Sequence, residues 1–246
     1  RYLLDEIPVY IIPTAEMMVP EDEEPEALFQ DTGVYEQDMD ASACLQTYDF
    51  ETDTYVTDLN SRNRPDWKNL FFDANLPEGT SLEFEMCTAE EKKGLDDCQW
   101  WTQGGTKKKI TVRARGTCTT DAQCQNISGY GNGYCSQYGT CQFIDPPQVL
   151  YGNPCTAANE ATACPNGPIY TGGQTVKSRC DLNSGGPSQG YCVYTTQPAD
   201  IATTLGEVDN GKQFARVRVT MRANSNASQA PTLYSWWMTY NCQRRE

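Results

Sequence analysis

An all-β fold, an antiparallel β-sandwich of jelly-roll type carrying a disulfide-rich, loop-dominated insert and an extended N-terminal arm, is predicted from three observations. From residue 44 onward the chain is built of short β-type runs separated by Gly, Pro and Asn turns. Three of those runs alternate strictly between apolar and polar residues, as half-buried strands require. Eight of the twelve cysteines fall between Cys118 and Cys192, in sequence that has almost no aliphatic run to build a core from.

Residues 1–43 read as an extended acidic arm, with the run EDEEPE at 21–26 and with Pro13, Pro20 and Pro25 disfavouring local folding. Its apolar residues Tyr2, Leu3, Leu4, Val9, Tyr10, Ile11 and Ile12 need burial elsewhere. They are the expected assembly contacts, either wrapped on their own sandwich or added to the open sheet edge of a neighbour.

The sandwich is assigned to 44–116 plus 196–246. A strand through Trp67, Leu70 and Phe72 leads by a Pro-Glu-Gly turn into SLEFEMC, where Leu82, Phe84 and Met86 face inward and Glu83 and Glu85 outward. KKITVRAR repeats the pattern with Ile110, Val112 and Ala114 inward. QFARVRVTMRA turns Val217, Val219 and Met221 inward and Arg216, Arg218 and Arg222 outward, so basic strands stand ready to pair with the acidic one. The closing run PTLYSWWMTYNC puts Trp236, Met238 and Tyr240 on one face and Trp237 and Thr239 on the other.

The insert, 117–195, is an internal repeat of two cysteine quartets. Cys118, Cys124, Cys135 and Cys141 have gaps of five, ten and five residues; Cys155, Cys164, Cys180 and Cys192 follow with looser loops. Zinc is the rival to disulfides, but the chain has no CxxC pair and no histidine. Each quartet allows three pairings. The crossed one is expected, Cys118 with Cys135, Cys124 with Cys141, Cys155 with Cys180 and Cys164 with Cys192. Cys87 with Cys98, and Cys44 with Cys242, complete the set.

An even cysteine count without CxxC points to an oxidising compartment, at the cell surface or outside the cell. No run reaches the length of a membrane span, and RYLLDEIPVYIIP has the wrong flanks for a signal peptide, so a mature or partial chain is expected and membrane insertion is not. A net charge of −14 argues against a nucleic acid partner. With no histidine, Ser-His-Asp and Cys-His catalysis and His-ligated metals are excluded. Carboxylate pairs remain, and a glycoside hydrolase would need two of them about 5 to 9 Å apart; a solvated acidic surface accounts better for the 33 acidic residues.

The series RPDWKNLFFDANLPEGTSLEFEMCTAE and GKQFARVRVTMRANSNASQAPTLYSWWMTYNC resembles the β-sandwich modules of cell-surface and secreted proteins of myxobacteria and related bacteria. The positions that carry the resemblance are Trp67, Pro77, Gly79, Thr80, Ser81, Arg216 to Thr220, Pro231, Leu233, Ser235 and Tyr240, within 44–115 and 200–242. The insert is similar to the cysteine-rich repeats of the same kinds of proteins. The resemblance implies a small jelly roll, a surface location and no catalytic residue.

Asp49, Asp53 and Asp58 have the oxygen-rich look of a calcium loop, without the glycine and closing glutamate of an EF-hand; ordinary turn aspartates are the stronger reading, and no other cofactor is expected. Trp100 and Trp101 offer an aromatic platform for a sugar ring, although core packing is the stronger use of each Trp pair. Asn126 and Asn226 lie in N-x-Ser sequons that equally suit turns. The leading expectation is a non-enzymatic, extracellular structural or adhesive protein that partners other subunits in a homo-oligomer or filament. A carbohydrate-binding module is the alternative, with a glycan as partner.

Overall fold

The computed structural model describes residues 7–10, 29–30, 33–49, 51, 54–57, 63–100, 102–103, 106–165, 176–201 and 211–244. In the first half the strands are β1 (Ile7–Tyr10), β2 (Phe29–Gln30), β3 (Gly33–Asp40), β4 (Gln46–Asp49), β5 (Thr54–Thr57), β6 (Asn63–Asn75), β7 (Ser81–Ala89), β8 (Thr102–Gln103), β9 (Thr106–Lys107) and β10 (Ile110–Thr117). Then come β11 (Tyr134–Cys135), β12 (Thr140–Asp145), β13 (Gln148–Pro154), the one-turn helix α1 (Glu160–Ala163), β14 (Ser178–Cys180), β15 (Tyr191–Tyr194), β16 (Ala199–Asp200), β17 (Phe214–Arg222) and β18 (Thr232–Arg244). Two antiparallel sheets make the sandwich. The first runs β1-β18-β6-β16 with β2 also on β18, and the second β11-β12-β10-β7-β17-β3.

Alternation decides which residues the sheets trap between them. Leu82, Phe84, Met86, Ile110, Val112, Ala114, Val217, Val219 and Met221 of the second sheet are all buried in one core with Trp67, Leu70, Phe72, Trp236 and Met238 of the first. Rings meet across the sheets: Phe84 lies 5.8 Å from Phe72 and 6.5 Å from Trp236. Trp67 is wholly buried, and its indole N–H donates to the Lys212 carbonyl, so its polar atom does not go unpaired.

Trp67 and Leu70 cannot share a face in an unbroken strand, because side chains alternate with a period of two. A β-bulge resolves this. Tyr240 pairs with Trp67 and Met238 with Leu70, so two residues of β6 oppose one of β18 and the inward phase changes from odd to even positions. A second bulge has the opposite sense. Leu233 pairs with Ala74 and Ser235 with Asp73, leaving Tyr234 as the extra residue of β18.

The turn Pro77-Glu78-Gly79-Thr80 closes with Thr80 N–H on the Pro77 carbonyl at 3.1 Å, and Gly79 has φ +81°, the conformation a type II turn needs at its third residue. The Thr80 hydroxyl donates to the same carbonyl at 2.8 Å.

Two domain boundaries expected from sequence are corrected. Gly33–Asp40, assigned to the arm, is a sandwich strand that pairs with β17 along its whole length, from Gly33 opposite Met221 to Asp40 opposite Phe214. Its polar sequence conceals this because only Met39 of the strand is buried. The insert is likewise no separate body at its start, because β12 pairs with β10 and extends the sandwich sheet. Gly133 permits the segment entering β11 to close onto β12, since a Cβ there would stand 2.3 Å from the Gln142 carbonyl oxygen. The second quartet has its own small sheet, β13-β15-β14.

Candidate functional site

The cysteines pair as Cys44–Cys242, Cys87–Cys98, Cys118–Cys135, Cys124–Cys141, Cys155–Cys180 and Cys164–Cys192, which are the pairs expected from the spacing. Within each quartet the two bridges pack together: the sulfurs of Cys118, Cys124 and Cys135, and those of Cys155, Cys164 and Cys192, lie within 4.8 Å of one another. They form the small cores of the insert, with Phe143 beside the first quartet. Bonded to each other, these sulfurs are not the thiolates a metal takes as ligands.

The quartets are also joined polarly. Asn132 donates to the Cys180 carbonyl at 2.9 Å, and Lys177 bonds Asp121. A cleft of about 360 Å³ between them is lined by Asp121, Gln125, Glu160, Lys177 and Arg179. Its charges pair across it, Lys177 with Asp121 and Arg179 with Glu160 at 3.6 Å.

The outer face of the second sheet is a ladder of opposite charges. Arg216 forks onto Asp38 with contacts of 2.7 and 3.2 Å and reaches Asp96 at 3.3 Å. Arg218 pairs with Glu36 at 2.8 Å and lies directly opposite Glu85, 3.8 Å away. Glu83 is opposite Thr220 and bonds Arg222 and Lys109, each at 2.8 Å. Burial pulls the Glu83 carboxyl up, but the hydrogen bonds and charges of Arg222 and Lys109 outweigh it and hold the group below its ordinary range. Asp121 is treated alike: burial raises it, while Lys177, the Cys135 N–H and the charge of Arg179 take it lower overall. A general acid for glycoside cleavage needs the opposite shift.

Trp100 packs its ring against the Arg218 guanidinium, 3.9 Å from the ring centroid, so one face of the expected sugar platform is already taken. Trp236 is buried, and Trp237 stacks on Phe71 at 5.1 Å. Asp49 stands in β4 opposite Thr54. Val9 and Tyr10 stand in β1 opposite Met238 and Trp237 of their own chain. Tyr2, Leu3, Leu4, Ile11, Ile12, Asp53, Asp58 and Trp101 lie outside the described residues.

Sequence reasoning missed one cluster, where the tip of the insert meets the first sheet. The Tyr138 hydroxyl and the Gln137 amide both donate to Asp73 Oδ1 at 2.9 Å, and the Tyr138 ring stacks on Tyr234 with centroids 5.3 Å apart and planes at 25°. Three elements distant in sequence supply it: the β11–β12 turn, β6 and the bulged residue of β18. Tyr138 and Tyr234 are each part-exposed. The two aromatics in YGT and TLY were visible, but nothing in their spacing brings them together.

No family model, curated protein or solved structure matches this chain. Six disulfides place the protein in an oxidising, non-cytoplasmic compartment, and no helix among the described residues is long and apolar enough to cross a membrane.

Proposed function

We propose that the protein is a non-enzymatic, extracellular structural or adhesive subunit of a larger cell-surface assembly. The observation that carries this reading is the way every cysteine and much of the surface charge is committed to holding shape. All twelve cysteines are bridged, and a continuous ladder of ion pairs spans β3, β17 and β7. Among the described residues, the two carboxylates with shifted titration, Glu83 and Asp121, are held toward their charged form by cations, which suits a scaffold and not an acid catalyst. The resemblance to modules of myxobacterial surface proteins supports the same reading.

Assembly would run through the N-terminal arm, whose apolar residues exceed what the short β1 strand accounts for. Size-exclusion chromatography with light scattering on the full chain and on a variant lacking residues 1–20 tests it. Oligomers that the deletion dissolves are expected. A full chain that is monomeric at working concentration, or a deletion that assembles equally well, overturns it.

A further inference from the structure

We propose that the part-exposed Tyr138–Tyr234 pair, with Asp73 and Gln137, is a binding platform for a neutral pyranose unit of an extracellular glycan. The proposal rests on the adhesive reading above and gives it a ligand class.

A sugar ring has an apolar face of C–H groups and a rim of hydroxyls, so its binding sites combine a flat aromatic surface with acceptors and donors in the plane beside it. That combination is present here. The two tyrosine rings are stacked, one backing the other, so a sugar would lie on an outer ring face of the pair. Beside the pair stands Asp73, which accepts hydrogen bonds from Tyr138 and Gln137 on Oδ1. Asp73 Oδ2 accepts from no described residue and so keeps the capacity to take a hydroxyl donor. Gln137 is exposed, and its carboxamide oxygen is a further acceptor for hydroxyl protons.

The cluster is also held in place before any ligand arrives. Tyr138 sits in a tight turn closed by Gly139 N–H on the Ser136 carbonyl at 3.0 Å and flanked by the disulfide-bonded Cys135 and Cys141. Tyr234 is set by a bulge, a device that re-aims a side chain out of the regular pleat. Charge selects the ligand. The Asp73 carboxylate and a net charge of −14 repel uronic and sialic acids, which leaves neutral sugars.

The experiment presents the full, disulfide-intact chain to an array of neutral and acidic oligosaccharides, then titrates the best neutral one by calorimetry. Binding to a neutral oligosaccharide is expected, with affinity reduced about tenfold or more by Tyr138→Ala and by Tyr234→Ala, and severalfold by Asp73→Asn. Tyr138→Phe, which keeps the ring, retains most of the affinity, and this separates ring stacking from a loss of fold. Melting curves of each variant accompany the titrations. The proposal is overturned by an array with no neutral hit, by a preference for acidic glycans, or by affinity that both alanine variants leave unchanged. Any of these outcomes leaves the sizing experiment, and the structural reading it tests, standing on its own.

Discussion

The side-chain amide of Gln142 donates to the main-chain carbonyl of Ala74 at 2.9 Å, both shut away from water although 68 residues apart. Gln142 belongs to the insert and Ala74 to the strand β6. Past the two residues that β16 covers, main-chain groups of β6 at Phe72 and Ala74 are met by side chains: Gln197 accepts the Phe72 N–H at 2.8 Å as Gln142 serves Ala74. Tyr134 links the pair, donating to Gln142 and accepting from Gln197. A sheet edge that would otherwise present free donors and acceptors is thereby closed.

Replacing Gln142 with Leu should therefore cost more than a surface change. The Ala74 carbonyl and the Tyr134 hydroxyl each lose a buried partner, at about 1–3 kcal/mol apiece. At about 2–4 °C per kcal/mol for a chain of this size, calorimetry should show the melting temperature falling by several degrees. A melt within a degree of the parent would mean that water replaces the amide.

Asp121 predicts an acid limb. Its carboxyl is lowered in the folded state, so its contribution is present above the ordinary carboxylate pKa and is lost as pH falls through the lower folded value. Asp121→Asn should be less stable than the parent at neutral pH, and the gap should close as the pH drops below about 4. Urea melts at stepped pH measure it; a gap independent of pH refutes the Lys177 attribution.

Tyr138 contributes on the alkaline side, as do Tyr134, Tyr194 and Tyr240, whose hydroxyls burial also pushes up. Burial, then the hydrogen bond to Asp73, push the Tyr138 hydroxyl up to about 12. A raised folded pKa stabilises below the unfolded value of about 10 and ceases to do so as pH climbs toward 12. Absorbance titration should show one late-titrating tyrosine disappear in Tyr138→Phe.

The charge ladder should divide by geometry. A double-mutant cycle on Arg218 and Glu85, 3.8 Å apart, should give a coupling below about 1 kcal/mol. The forked Arg216–Asp38 pair should exceed it, and Arg216→Lys should lose most of that excess because an ammonium cannot fork.

How much of this was legible in the residues depends on where the signal lies. Strict alternation in 81–86 and 215–222 marked strands, inward faces and outward charges, because period two is a property of one strand. The disulfide pairs were readable because cysteine spacing is itself a sequence signal. Gly33–Asp40 was not, since an edge strand burying little beside Met39 has no apolar period to show. The bulges at Trp67 and Tyr234 were equally hidden, for they exist only as a mismatch between two strands. The Tyr138 cluster and the Gln142 junction combine both difficulties, each being an encounter of a polar side chain with a group from a segment more than sixty residues away.

The Cys44–Cys242 bridge joins residues 198 apart and encloses the other five bridges. Pulled from a point before Cys44 and a point after Cys242, the chain would carry tension through that single sulfur bond, and the sandwich and insert between would feel almost none of it. Only the flanking segments, among them the β1 strand zipped to β18, could yield. Stretched out, the enclosed chain, 198 residue steps from end to end, amounts to a hidden length on the order of 700 Å at about 3.5 Å per residue, released to a reductant and withheld from a mechanical load.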